Sequence, residues 1–159
     1  MTEGKPLYVV WALTCGLVSA VLTGVVAGSA MSAELPEAYF RLMEAELPLI
    51  ENHLVRDPAA DPKVLEAQGR ILPGALMAAA VLYAKPHPAN RAQGERRKLD
   101  LAIALGDLLC TESEQGRYQK ILNSYWGTYM WLEAYRLLMP QLGAERQDRW
   151  RRALRRDIE

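Results

Sequence analysis

Acid–base, nucleophilic or metal chemistry in this chain of 159 residues would draw first on His53, His87, Glu133, Cys15 and Cys110. Neither histidine is accompanied by a second histidine, a cysteine or a suitably spaced carboxylate, so the ligand spacing of a zinc-type site is missing and no metal or other cofactor is expected. His53 stands near a helix end, where a ring nitrogen commonly meets the last carbonyls. His87 sits between two prolines, in Lys85-Pro-His-Pro-Ala-Asn90, and reads either as a solvated loop residue or as the lining of a cleft. Glu133 could supply an acid, but a glycosidase needs two carboxylates and no second one stands at a matching interval. Cys15 lies inside an apolar stretch that runs on past it, which argues against lipid attachment, and Cys110 has no disulfide mate after cleavage of that stretch.

The densest feature is aromatic: Tyr125, Trp126, Tyr129, Trp131 and Tyr135 within eleven positions. Flat rings stack on the C–H faces of sugars while neighbouring polar groups take the hydroxyls, so Asn123, Tyr125, Trp126, Tyr129 and His87 form the candidate glycan-binding set. Helical spacing gives a competing reading. Positions 125, 129 and 132 share one face and 131, 134, 135 and 138 another, so one face is expected in the core. Arg146, Arg149, Arg151, Arg152, Arg155 and Arg156 crowd the C-terminal end, either to attract an anion or, with Glu145, Asp148 and Asp157 interleaved, as a solvated helix face. Over the whole chain 19 basic and 19 acidic side chains cancel, so no general field favours nucleic acid.

The elements that must hold these residues are helices. No charge occurs between Leu7 and Ala30, Lys5 precedes the run, and Gly28, Ala30 and Ala33 follow the small-residue pattern of a cleavage site. Residues 1–33 are therefore expected to be a signal peptide. The run is also long enough to cross a bilayer uncleaved as a membrane anchor through residues 7–30. Either way the body, 34–159, is expected outside the cytoplasmic membrane, periplasmic, extracellular or anchored. Its pattern predicts helices over 36–54, from 62 into the 80s, 97–113, 124–139 and from 143 onward. Pro48 and Pro73 are expected bends, Asp61-Pro62 a helix start, and Gly116 a stop. No alternating stretch predicts a strand.

The run Leu72-Pro-Gly-Ala-Leu-Met-Ala-Ala-Ala-Val-Leu-Tyr-Ala-Lys-Pro-His-Pro-Ala-Asn90, with Leu105-Gly-Asp-Leu-Leu109, Thr128-Tyr-Met-Trp-Leu-Glu-Ala-Tyr-Arg-Leu-Leu138 and Leu142-Gly-Ala-Glu-Arg146, resembles the N-terminal helical part of heparinase II/III-like and alginate-lyase-like proteins. The resemblance covers roughly residues 35–159 and rests on helix-packing and loop patterns, not on a catalytic signature. It implies an all-α body of antiparallel helix hairpins forming part of an incomplete α/α toroid. Such a toroid lines a cleft for an anionic polysaccharide and is followed by a β-sandwich region that this chain does not contain. It further implies β-elimination at a uronate, in which the enolate charge must be stabilised while a base removes the proton. The catalytic positions of that family are not matched here. The expected function is thus the helical opening of an exported polysaccharide-processing protein, catalytically incomplete alone. The alternative is a non-enzymatic exported or membrane-anchored helical interaction module.

Overall fold

The computed structural model describes residues 34–54, 62–116, 118 and 126–158. Within them the chain forms α1 (Glu34–Leu54), α2 (Pro62–Ala84), α3 (Arg96–Glu114), α4 (Trp126–Leu138), a 3-10 turn (Met139–Gln141) and α5 (Ala144–Ile158), with no strand among the described residues. The all-α expectation holds. None of the described helices is long and apolar enough to cross a membrane; the 7–30 run, Cys15 and the expected cleavage site lie outside the described residues.

Helix α2 is the axis of the core. From Leu72 to Leu82 nearly every side chain is buried, on all sides of the helix and not along one stripe. Alanines at 75, 78, 79 and 80 explain how: with only a methyl group each, they let α1, α3 and α4 close in around one helix. Pro73 is buried inside α2, and the helix runs continuously through it. Pro48 likewise falls inside α1, whose buried line is Phe40, Met43 and Leu47, with the neighbouring Tyr39 only half-buried.

The 85–95 connection folds back on the end of α2. Asn90 is buried and its Nδ2 donates to the carbonyls of Leu82 and Lys85, each at 2.8 Å, while its Oδ1 accepts from the Ala92 N–H at 3.2 Å. One amide thereby satisfies carbonyls that the helix end leaves without partners. Gly94, at φ 76°, takes the left-handed turn into α3, and its N–H donates to Tyr83 O at 2.9 Å. Because α3 starts at the end of α2 and packs along it, the two run antiparallel. At the far end Gly116, at φ 67°, stops α3 where the sequence predicts.

Helix α5 closes the body against α3 and α4. Thr128 meets Asp157 and Tyr135 meets Trp150, so α4 and α5 are antiparallel. Asp107 meets Arg146 while Glu114 meets Arg149, so α5 runs parallel to α3. Its inward line is Trp150, Ala153, Leu154 and Asp157, while the apolar Ile158 is 63% exposed. A helix turns about 100° per residue, and on that period position 157 continues the line of 150, 153 and 154 better than 158 does.

Candidate functional site

Three polar groupings and one apolar edge are the places where this body could act on something else. The first grouping joins α3 to α5. Asp107, Thr111 and Glu114 fall on one side of α3 at intervals of four and three residues, the spacing that aligns side chains on a helix. Arg146 Nε donates to both carboxylate oxygens of Asp107, at 3.0 and 3.2 Å, and Trp150 Nε1 donates to Oδ1 at 2.8 Å. Arg149 grips Glu114 with two bonds, Nε to Oε1 at 3.0 Å and Nη2 to Oε2 at 2.8 Å, and Nη2 also reaches Thr111 Oγ1 at 2.9 Å. That hydrogen-bonded guanidinium holds the Glu114 carboxyl below its usual range and raises Arg149 in return. Beneath this seam Cys110 is fully buried, and burial pushes its thiol up to about 12. A thiol held protonated in this way is no nucleophile at neutral pH.

The second grouping lies where α4 starts and α5 ends. Asp157 is buried and accepts a hydrogen bond from the Thr128 hydroxyl. Tyr118 packs edge-on to Trp131, with ring centroids 5.8 Å apart. Burial, with the Asp157 charge second, pushes its phenol well above the ordinary tyrosine value, so Tyr118 stays protonated. A Cβ on Gly127 would approach the Tyr118 hydroxyl to 3.0 Å and Pro73 to 3.6 Å, so a glycine there lets α4 close on α2.

The third is His87. Its ring stacks on Phe40 at a centroid distance of 5.3 Å, and Nδ1 accepts from the Ala89 N–H at 3.1 Å. That acceptor role assigns the neutral ring its proton at Nε2. Half-buried against α1, His87 is an anchor between helix and loop. It is far in sequence from the other glycan-binding candidates, and no bond joins it to them among the described residues.

The aromatic cluster divides between core and surface. Trp131, Ala134, Tyr135 and Leu138 are buried, so the 131–138 face is the core face. Trp126 and Tyr129, 58% and 41% exposed, lie on the outer side together with Leu132. Met139 and Ile158 complete the set: among the described side chains, the exposed large apolar ones all belong to α4, the 3-10 turn and α5. Asn123 and Tyr125 lie outside the described residues. Glu133, on the same outer side of α4, pairs with Arg136 at 2.9 Å. Of the C-terminal arginines, Arg146 and Arg149 hold α3, Arg151 pairs with Asp148 at 3.2 Å, and Arg156 stands 3.8 Å from Glu114. Among the described residues no group of three His, Cys, Asp or Glu side chains converges as metal ligands would.

Sequence reasoning passed over Asp107, Thr128 and Asn90. A signal existed for the first: Gly106-Asp107 in mid-helix puts a residue without a side chain beside a carboxylate, a pairing that suits a large donor-bearing ring docking from elsewhere. Comparison with family models, with characterised proteins and with solved structures found no match for this chain.

Proposed function

We propose that this chain is a wall-forming helical module of an exported uronate-glycan-processing assembly, non-catalytic by itself, which acts by offering its α4–α5 edge to further helices. One observation carries the reading: among the described residues the exposed large apolar side chains are Trp126, Tyr129 and Leu132 on α4, Met139 in the 3-10 turn and Ile158 at the end of α5, all in the last part of the body instead of scattered over it. Single exposed apolar residues are ordinary, but a contiguous set marks an interaction surface. In stacked helical architectures each unit buries one face on its predecessor and leaves the next face for its successor, and an end without a polar face requires a neighbour. Leu132, three residues on from Tyr129 along the outer side of α4, brings aliphatic surface beside that ring, which suits a helix better than a sugar, whose hydroxyls need polar groups next to the stacking face.

The tightly bonded polar side chains support the same reading, because Asp107, Asn90, Glu114 and Asp157 bond to the chain's own helices. The glycan part of the proposal rests on the sequence resemblance. In this reading Asn123 and Tyr125 carry glycan contact. The test is to incubate the purified full chain with alginate and with heparin and follow the ultraviolet absorbance of unsaturated uronate ends. No turnover is expected. Release of unsaturated ends by this chain alone would sink the non-catalytic assignment, and weak binding of either polymer that ignores Asn123→Ala and Tyr125→Ala would remove the glycan assignment.

A further inference from the structure

Helix α5 is attached to the outside of the core. The axis of the core, α2, is enclosed by α1, α3 and α4, whereas α5 packs on α3 and α4. Its buried apolar side chains are Trp150, Ala153 and Leu154, joined by Leu142 from the turn before it. The rest of its hold is polar: Arg146 on Asp107, Arg149 on Glu114 and Thr111, the Trp150 ring N–H on Asp107, and Asp157 with Thr128. Both guanidinium–carboxylate pairs are partly exposed, so water replaces each partner when they separate, and such pairs contribute little net stability. Undocking also strands no charge in an apolar place. Asp107 and Glu114 stay at the surface of α3, while Asp157 leaves with α5 into water.

The break point is marked in the chain. Gln147 Nε2 donates to the carbonyls of Met139 and Leu142, at 3.0 and 2.8 Å, and the Gln147 backbone N–H donates to Gly143 O at 3.0 Å. These bonds tie the 3-10 turn to the first turn of α5, so the two move together. Leu138 is fully buried and Met139 is exposed, which puts the pivot between them. Gly143 has nothing within 4 Å of the place a Cβ would take, so no packing at that point resists the movement. Arg146, Arg149, Trp150 and Asp157 stand on one helix, and their contacts with α3 and α4 are made and lost together.

We infer that residues 139–158 form a latch, which opens as one unit on a body of α1–α4 that stays folded and thereby uncovers the Gly106 notch and Cys110. Closed, α5 fills a seat on α3 and α4 that is shaped for a helix carrying an indole. Open, it leaves that seat free, so the latch governs access to it. Such a latch does not depend on what covers the outer face of α4.

The test uses the full chain carrying Cys15→Ser, in which Cys110 is the remaining thiol. At low reagent concentration, where closing outpaces labelling, the rate at which Cys110 is labelled reports the population of the open state. As urea is added, the logarithm of that rate is expected to rise with less than about half the slope of global unfolding, read from the slowest-exchanging amides of α2, because opening 139–158 exposes only part of the surface. Arg146→Gln with Arg149→Gln is expected to speed labelling about fivefold without urea. Asn90→Ala, remote from α5, is expected to speed exchange of those α2 amides about tenfold and to leave labelling of Cys110 unchanged. Equal urea slopes overturn the latch, and so does labelling that speeds up with Asn90→Ala in step with α2 exchange, because Cys110 is then reached only when the whole body unfolds. Labelling that ignores the two arginine substitutions overturns it as well, since the polar seam would then not be what holds α5 down.

Discussion

The indole of Trp150 fills the space that any side chain at position 106 would occupy. A Cβ on Gly106 would come within 2.0 Å of the Trp150 ring, while the ring nitrogen donates to Asp107, the very next residue, at 2.8 Å. Absence of a side chain at one position and a carboxylate at the next together make a notch for one ring. Because Trp150 is fully buried, the notch is where α5 is held to α3.

Gly106→Ala should therefore expel the ring or push the helices apart. Overpacking of this kind costs about 3 kcal/mol, and urea unfolding of the variant should show a midpoint lowered accordingly with an unchanged slope. Trp150→Phe keeps most of the volume but loses the donor to Asp107, and a loss of about 1 kcal/mol is expected. If Gly106→Ala were neutral, the ring would not sit in this notch.

Asn90 makes a second prediction that separates donor from acceptor. Asn90→Asp retains size and shape but cannot donate to the carbonyls of Leu82 and Lys85, so it should destabilise about as much as Asn90→Ala, by ~1–3 kcal/mol. A mild Asn90→Asp would mean that those carbonyls find other partners. Hydrogen exchange at the amides of the last turn of α2 reads the same effect locally.

Thr128→Val leaves the buried Asp157 carboxylate without its hydroxyl donor, at a cost of ~1–3 kcal/mol. Made on an Asp157→Asn background, the same substitution should cost less, since a neutral amide suffers less from losing one bond. A double-mutant cycle that shows no coupling between the two positions would contradict the contact.

Two shifted groups bend the pH profile in opposite directions. Glu114 is lowered in the folded state, so its contribution is present above the ordinary carboxylate range and is lost as pH falls through the folded value. Glu114→Gln should flatten part of the acid limb of Tm against pH. Cys110 is raised from 9.0 to about 12, so the fold favours the protonated thiol. Its contribution is complete below pH 9 and is lost as pH rises from there toward 12. In native conditions Cys110 should resist a thiol reagent and react only at the rate of opening; prompt labelling would show that the thiol is not sealed beneath the Arg149–Glu114 pair.

Much of the helical layout is legible in the sequence because its signals are local. Pro62 opens α2, Gly116 closes α3, and the 131–134–135–138 face of α4 goes inward as its period requires. What escapes local reading comes from distant partners. Burial of α2 on every side depends on three other helices surrounding its alanines, and no amphipathic period announces that. Phe40 turns inward because His87 supplies a ring for it to lie on, 47 positions away. Asp157 goes inside because Thr128 receives it, and Ile158 stays out as a result. The candidate site is legible to the same degree: the aromatic helix is plain in the sequence, but which of its rings face outward, and that Leu132, Met139 and Ile158 join them, depends on where α5 packs.

That the notch for Trp150 is cut in α3, with the ring itself on the last helix, bears on how the chain is made. Synthesis runs from the N-terminus, so α2, α3 and α4 are complete while Gly106 and Leu105 still face an empty place. Local pairing of α2 with α3 can form early, but the seam between α3 and α5 joins residues about forty positions apart and forms only once α5 has been made. Until then the half-made body exposes the open notch and the Thr128–Tyr135 side of α4, the two surfaces that α5 later covers.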